Sequence, residues 1–195
     1  MRRRAFDAIA TAVGVVLTLV LLIAGSLLMA GYSFANSNVH DQLAAQQIYF
    51  PAKGSDALKS PDIGPYLNQY AGQQLVTGAQ AQAYADHFIA VHLKEVAGGK
   101  TYAQASAAAQ ADPTNAALQA QVNTLFKGET LRGMLLNAYA FWKLGQIALY
   151  AAIASFILAA VMLALSGSGL LHLRRVAPQA ELLTDRPVVT EPVVA

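Results

Sequence analysis

The sequence predicts an all-α membrane protein in which two transmembrane helices bracket an extracytoplasmic helical domain and a disordered cytoplasmic tail follows. Three observations carry this expectation. Residues 8–35 and 144–173 hold no formally charged side chain over 28 and 30 positions, and a helix needs roughly 20 apolar residues to cross a bilayer. Charged residues make up 12% of the chain and hydrophobic ones 55%, where soluble domains carry about a quarter charged, so much of the surface must be neutral. Alanine fills 39 of 195 positions; it favours helix because no side-chain entropy is lost, and it lets helices approach closely in lipid.

Charge sets the orientation. Arg2, Arg3 and Arg4 lie in the N-terminal segment 1–7, and Arg174 and Arg175 follow the second apolar run. Basic residues next to a span stay in the cytoplasm, so both termini are expected inside the plasma membrane and residues 36–143 outside. That middle segment carries seven basic and seven acidic side chains. Its balance offers no basic stripe for a phosphate backbone, so the bilayer is an expected partner and nucleic acid is not. Cysteine is absent, which excludes disulfides and thiolate metal sites.

The arginine-rich start, the apolar run and Ser33-Phe34-Ala35 also match a secretory signal. A signal's apolar stretch is about 7–15 residues, so the longer run is read as an uncleaved anchor. At 1.5 Å per residue it reaches about 42 Å, more than a hydrocarbon core of about 30 Å. It should tilt or protrude. Val39, Leu43 and Phe50 continue near helical spacing after a cap at Asn38, until Pro51. Pro51, Gly54, Pro61, Gly64 and Pro65 then predict a loop to Tyr70.

Thr77 and Gln80 form a capping-box pattern, in which side chains satisfy the free N–H groups of a helix start. Ala81, Tyr84, Phe88 and Val91 follow as one stripe flanked by Ile89 and Val96, and Gly98-Gly99 supplies the stop. Thr101 and Gln104 repeat the capping pattern for a short helix ending near Asp112, and Asp112-Pro113 reads as the cap and first residue of the next. There Leu118, Val122 and Leu125 share a face beside Phe126, and Gly128 interrupts it. From Glu129 a helix should run into the second span. Tyr139, Phe141, Trp142 and Lys143 cluster where the outer membrane interface is expected, with Arg174 and Arg175 at the inner one. The segment 174–195, with Pro178, Pro187 and Pro192, is too polar and aperiodic to pack. No internal repeat or heptad array is evident.

Chemistry is sparse. His87 and His92 are five apart, about 140° around a helix, so they cannot share a metal as an i, i+4 pair does. His92 with Glu95 makes only a two-ligand set, and His40 beside Asp41 reads as helix-start chemistry. No catalytic, cofactor or metal site is expected. Neither apolar run holds a charge, Gln146 and Thr18 being their notable polar residues, so transport by a single copy is not expected. Ala151, Ser155 and Ala159 form a small-residue ladder at spacing four with Ala148 and Ala152 adjacent, and Ala10 and Gly14 (with Ser26 and Ala30) offer matching grooves on the first span. The ladder is expected to pack on this first span, with a separate helix as the alternative.

Three stretches also look familiar: QLAAQQIYFPAKGS, IGPYLNQYAGQQLVTGAQAQAYADHFIAVHLKEVAGGKTYAQAS and TLFKGETLRGMLLNAYAFWKLGQIALYAAI. They resemble a group of actinobacterial two-span membrane proteins of unknown function, and the resemblance covers most of residues 40–153. It implies an actinobacterial plasma membrane. Some members of that group carry the label aromatic ring-opening dioxygenase, which implies an iron site; the histidines here do not supply a coherent His and carboxylate set for one. The expected function is therefore non-enzymatic: an outward helical domain that binds a protein or envelope component, as an accessory subunit of a membrane complex or a homo-oligomer. A ligand sensor acting through a partner recruited to Thr184 or Thr190 is the alternative, and a metal enzyme built from His40, His87 and His92 a third reading.

Overall fold

A computed structural model describes residues 3–175, and all regular secondary structure among them is helical. The expected disorder of the tail falls on residues outside those described. The helices are α1 (Arg3–Ala45), α2 (Asp56–Lys59), α3 (Gly64–Leu67), α4 (Gly78–Tyr84), α5 (Ala90–Val96), α6 (Tyr102–Ala111) and α7 (Ala116–Arg175). A 3₁₀ turn, Asn68–Tyr70, follows α3, and a π-helical turn, Ala85–Ile89, joins α4 to α5. The described residues form two compact units, one of residues 3–29 with 150–175 and one of Ala30–Leu149.

In the first unit, α1 and α7 are long and apolar enough to cross a membrane, with 18-residue windows of mean hydropathy 2.6 and 2.5. Only 17% and 11% of those windows are buried by the chain itself, whereas the core helix of a soluble protein is mostly covered. The two helices run antiparallel: Gly25 faces Phe156, Gly14 faces Ser166 and Thr11 faces Gly169. A Cβ on Gly25 would lie 2.9 Å from Phe156 Cε1, so glycine is what lets the ring lie on the backbone of α1. Thr18 is buried and donates to the Gly14 carbonyl at 2.8 Å, which satisfies its hydroxyl within the helix.

The buried positions here are Gly14, Thr18 and Gly25 on α1 and Ala152, Ala159 and Ser166 on α7. Those on α7 recur every seven residues, which corrects the expectation of no heptad pattern. A row at spacing four drifts about 40° per step around a 3.6-residue helix; a 3.5-residue repeat stays on a facing partner. Accordingly Ala152 and Ala159 are buried, Ala151 and Ser155 are half-buried, and Ala10 and Ser26 are exposed.

In the second unit α1 continues without a break to Ala45, so Asn38 lies inside the helix and caps nothing. The helix ends before Pro51, in a turn closed by Gln46 N–H on the Leu43 carbonyl (3.1 Å) with Gln47 at φ 51°. The expected loop to Tyr70 contains α2, α3 and the 3₁₀ turn, and it buries Leu58, Ile63 and Leu67. Backbone bonds Phe50 N–H to Gln73 O (2.9 Å) and Leu75 N–H to Ile48 O (2.8 Å) tie its two ends together. Phe50 is buried against Tyr70 and Tyr84, and burial raises the Tyr84 phenol above its ordinary pKa of 10.0.

Both capping boxes form as the sequence indicates, with Gln80 N–H on Thr77 Oγ1 and Gln104 N–H on Thr101 Oγ1 at 3.2 and 3.3 Å. Gly98 and Gly99, at φ 56° and 78°, end the α5 segment. The π turn was not legible. It has a packing consequence: Ala81, Ala85, Ile89, Leu93 and Ala97 are all buried at a constant spacing of four, a row that an unbroken α-helix would carry off its partner and a wider turn keeps in line. Tyr84, Phe88 and Val91 are half-buried beside it, and Val96 is exposed.

Two expectations on α7 are corrected. Its cap is Asn115, whose Oδ1 accepts from Leu118 N–H at 3.2 Å; Asp112 instead holds the preceding turn by accepting from Thr114 Oγ1 and Asn115 Nδ2. Gly128 does not interrupt the helix, because its missing side chain makes room for Leu93.

At the start of α4, a Cβ on Gly78 would overlap Cβ and Cγ of Trp142. Gly78→Ala is therefore expected to destabilise the protein by about 1–3 kcal/mol, the usual cost of overpacking. Chemical unfolding of the detergent-solubilised chain, followed by Trp142 fluorescence, checks this; an unchanged midpoint would contradict the packing.

Candidate functional site

A concavity of the second unit lies between the end of α1 and the middle of α7, and has a volume of about 440 Å³. That is within the range of ligand pockets, about 300–1,000 Å³. Its construction follows from side-chain size. At Gly145 a Cβ would stand 2.9 Å from Ala35 Cβ, so the helices nearly touch there. Beyond that point Val39 and Leu43 of α1 and Leu135 and Ala138 of α7 form the floor of the groove.

Its rim is unusual. Asn38 and Gln42 stand at i and i+4 along one edge of α1, Gln46 follows in the turn that ends the helix, and Asn137 adds a fourth carboxamide from α7. Leu131, Met134 and Phe141 make the apolar lip, and Met134 is 66% exposed. No charged side chain lines the groove. Such a lining accepts an apolar face and offers neutral donors and acceptors along its edge.

Next to the groove, Arg132 anchors α7 to the π turn. Its Nη2 donates to Asp86 Oδ1 at 3.1 Å and its Nη1 lies 3.6 Å from Glu129 Oε2, while Nε is buried without a partner. Sequence reading did not single out this pair, since the partners are 46 residues apart and no local signal joins them.

The expected interface residues divide. Lys143, Arg174 and Arg175 are exposed, as is Phe141, which meets the ring of exposed Phe34 edge-on at 6.3 Å. Tyr139 and Trp142 are half-buried, with ring centres 6.2 Å apart, and Trp142 packs on Gly78. Ala148 is half-buried.

The histidines stand in separate settings. His40 Nδ1 lies 3.1 Å from Asp41 Oδ1 on the surface, His87 stacks on Tyr66 with centroids 3.5 Å apart, and His92 Nδ1 lies 2.7 Å from the Phe88 carbonyl. Among the described residues no three histidine or carboxylate side chains converge on a point that could hold a metal ion.

Asp86→Asn and Arg132→Gln should each lower stability, with a coupling in the double variant of roughly 1 kcal/mol that shrinks with added salt, because both side chains remain about a third exposed. Strictly additive effects in a double-mutant cycle would contradict the pairing. Compared with protein-family models, curated proteins and solved structures, the chain gives no match.

Proposed function

We propose that this chain is a non-enzymatic plasma-membrane protein, of the actinobacterial two-span kind that its sequence resembles, acting as an accessory subunit of a membrane complex. In this reading α1 and α7 cross the bilayer, both termini are cytoplasmic, and residues 36–143 face outward. Its task is to hold a partner protein at the outer membrane surface through the carboxamide-rimmed groove.

The observation that carries this reading is the groove's lining. The lining runs from Asn38 on α1 to Gln46 in the turn that follows, eight steps of about 1.5 Å or about 12 Å, which matches roughly two turns of a partner helix. An apolar floor between two parallel rims is how amphipathic helices are received in grooves, and carboxamides let the partner be neutral or polar at its edges without burying a charge. Support for the membrane setting comes from the little-covered apolar windows of both helices. Ser33-Phe34-Ala35 lies within α1 with Ala35 buried, a setting that supports an uncleaved anchor.

A photo-crosslinking residue at Gln42 or Met134, activated in native membranes, is expected to give a discrete adduct of higher mass containing a protein partner. The same probe at exposed Thr130, outside the groove lining, should give none. Only unmodified monomer, adducts to lipid alone, or equal yields at all three positions would overturn the proposal.

A further inference from the structure

At the arginine-bearing end of the span unit, Asp7, Thr11 and Gly14 of α1 and Ser166, Gly169 and His172 of α7 border a second cavity of about 290 Å³. Two polar atoms are buried there without a hydrogen-bond partner, Asp7 Oδ2 and Ser166 Oγ. Ser166 is only 6% exposed. His172 Nε2 stands 3.7 Å from Asp7 Oδ2, within ion-pair reach but too far for a hydrogen bond. Native proteins leave few buried polar groups unmatched, and each such group calls for an explanation.

The surroundings define what could match them. Arg4 precedes Asp7 by three residues on α1, and Arg174 and Arg175 follow His172 by two and three on α7; all three arginines are exposed. None of the three lines the cavity, but Arg4 and Arg175 stand about one helical turn from Asp7 and His172, so positive charge gathers near its mouth while the carboxylate of Asp7 lies within. A zwitterion with a primary ammonium beside a phosphate matches both charges. Its N–H groups can donate to the carboxylate and the serine hydroxyl while the phosphate meets arginine in charge-assisted pairs.

We propose that this cavity binds the ammonium group of an aminophospholipid from the adjoining leaflet, with Asp7 and Ser166 as acceptors and Arg4, Arg174 and Arg175 around the phosphate. A choline headgroup has no N–H to donate and is discriminated against. Gly14 and Gly169 keep the cavity open, because side chains there would run into the Ser166 and Thr11 hydroxyls. This inference rests on α1 and α7 being membrane-inserted and is independent of any partner in the outer groove.

The test is lipid selection by the full-length protein in nanodiscs of equal phosphatidylethanolamine and phosphatidylcholine, read by native mass spectrometry of the lipids that stay bound. The wild-type chain should retain phosphatidylethanolamine about tenfold over phosphatidylcholine. Asp7→Asn and Ser166→Ala should bring that ratio close to one, Asp7→Glu should restore part of it, and Gln42→Ala in the outer groove should leave it intact. Circular dichroism confirms that each variant is folded, and Ser166→Ala carries the test if Asp7→Asn is not. Equal retention of both lipids, the result for a cavity holding only water, would overturn the proposal. So would selection that survives Asp7→Asn, or phosphatidylglycerol retained as well as phosphatidylethanolamine, which would assign the effect to the arginines alone.

Discussion

Close approach of two helices along small side chains is the constraint on which the rest of this structure depends. In lipid there is no hydrophobic drive to bring apolar helices together, so association relies on contact between well-matched surfaces. Gly14, Gly25, Ala152, Ala159 and Gly169 supply that match in the first unit by giving up their own volume to a neighbour. Thr11, Phe156 and Ser166 fill the space. Most large apolar side chains of the same helices stay exposed, among them Ile23, Leu27, Leu144 and Leu163 at 61–69%.

The second unit is stabilised by a different balance. Its core joins the end of α1, the loop helices and α4 to α7 through Val39, Leu43, Leu67, Leu75, Leu125 and Leu135. Glycine serves again as a contact surface, at Gly78 beneath Trp142 and at Gly128 beneath Leu93. The ion pair of Asp86 and Arg132 adds direction more than energy, since partly exposed pairs are worth about 1 kcal/mol or less. What is left unfilled is the neutral groove between α1 and α7, edged by the carboxamides of Asn38, Gln42, Gln46 and Asn137.

Much of this was legible in the sequence, for identifiable reasons. Long uncharged runs and a high alanine content announce helices, and the capping boxes at Thr77 and Thr101 fix two helix starts because the signal is wholly local. Signals that depend on the tertiary partner were misread. Gly128 looks like a breaker until Leu93 is placed against it, and Asp112 competes with Asn115 for the same cap. Within the two apolar helices almost every position is apolar, so hydrophobicity cannot mark the contact seam; side-chain size at a seven-residue spacing does, and the spacing-four ladder held Ala152 and Ala159 of that seam beside the half-buried Ala151 and Ser155. The groove escaped notice because its amides are unremarkable one by one and converge only through α7.

Pairing of the two apolar helices can be tested directly, because the chain contains no cysteine. A Cβ at position 169 would lie 3.7 Å from Thr11 Cβ, and one at position 14 would lie 3.5 Å from Ser166 Cβ, within the span of disulfide Cβ pairs, about 3.5–4.5 Å. Mild oxidation in native membranes should therefore close an intramolecular bridge in Thr11→Cys with Gly169→Cys, and in Gly14→Cys with Ser166→Cys. The exposed, off-seam pair Val15→Cys with Leu165→Cys should stay open. Bridging only between chains, or equal bridging of the off-seam pair, would contradict the antiparallel seam.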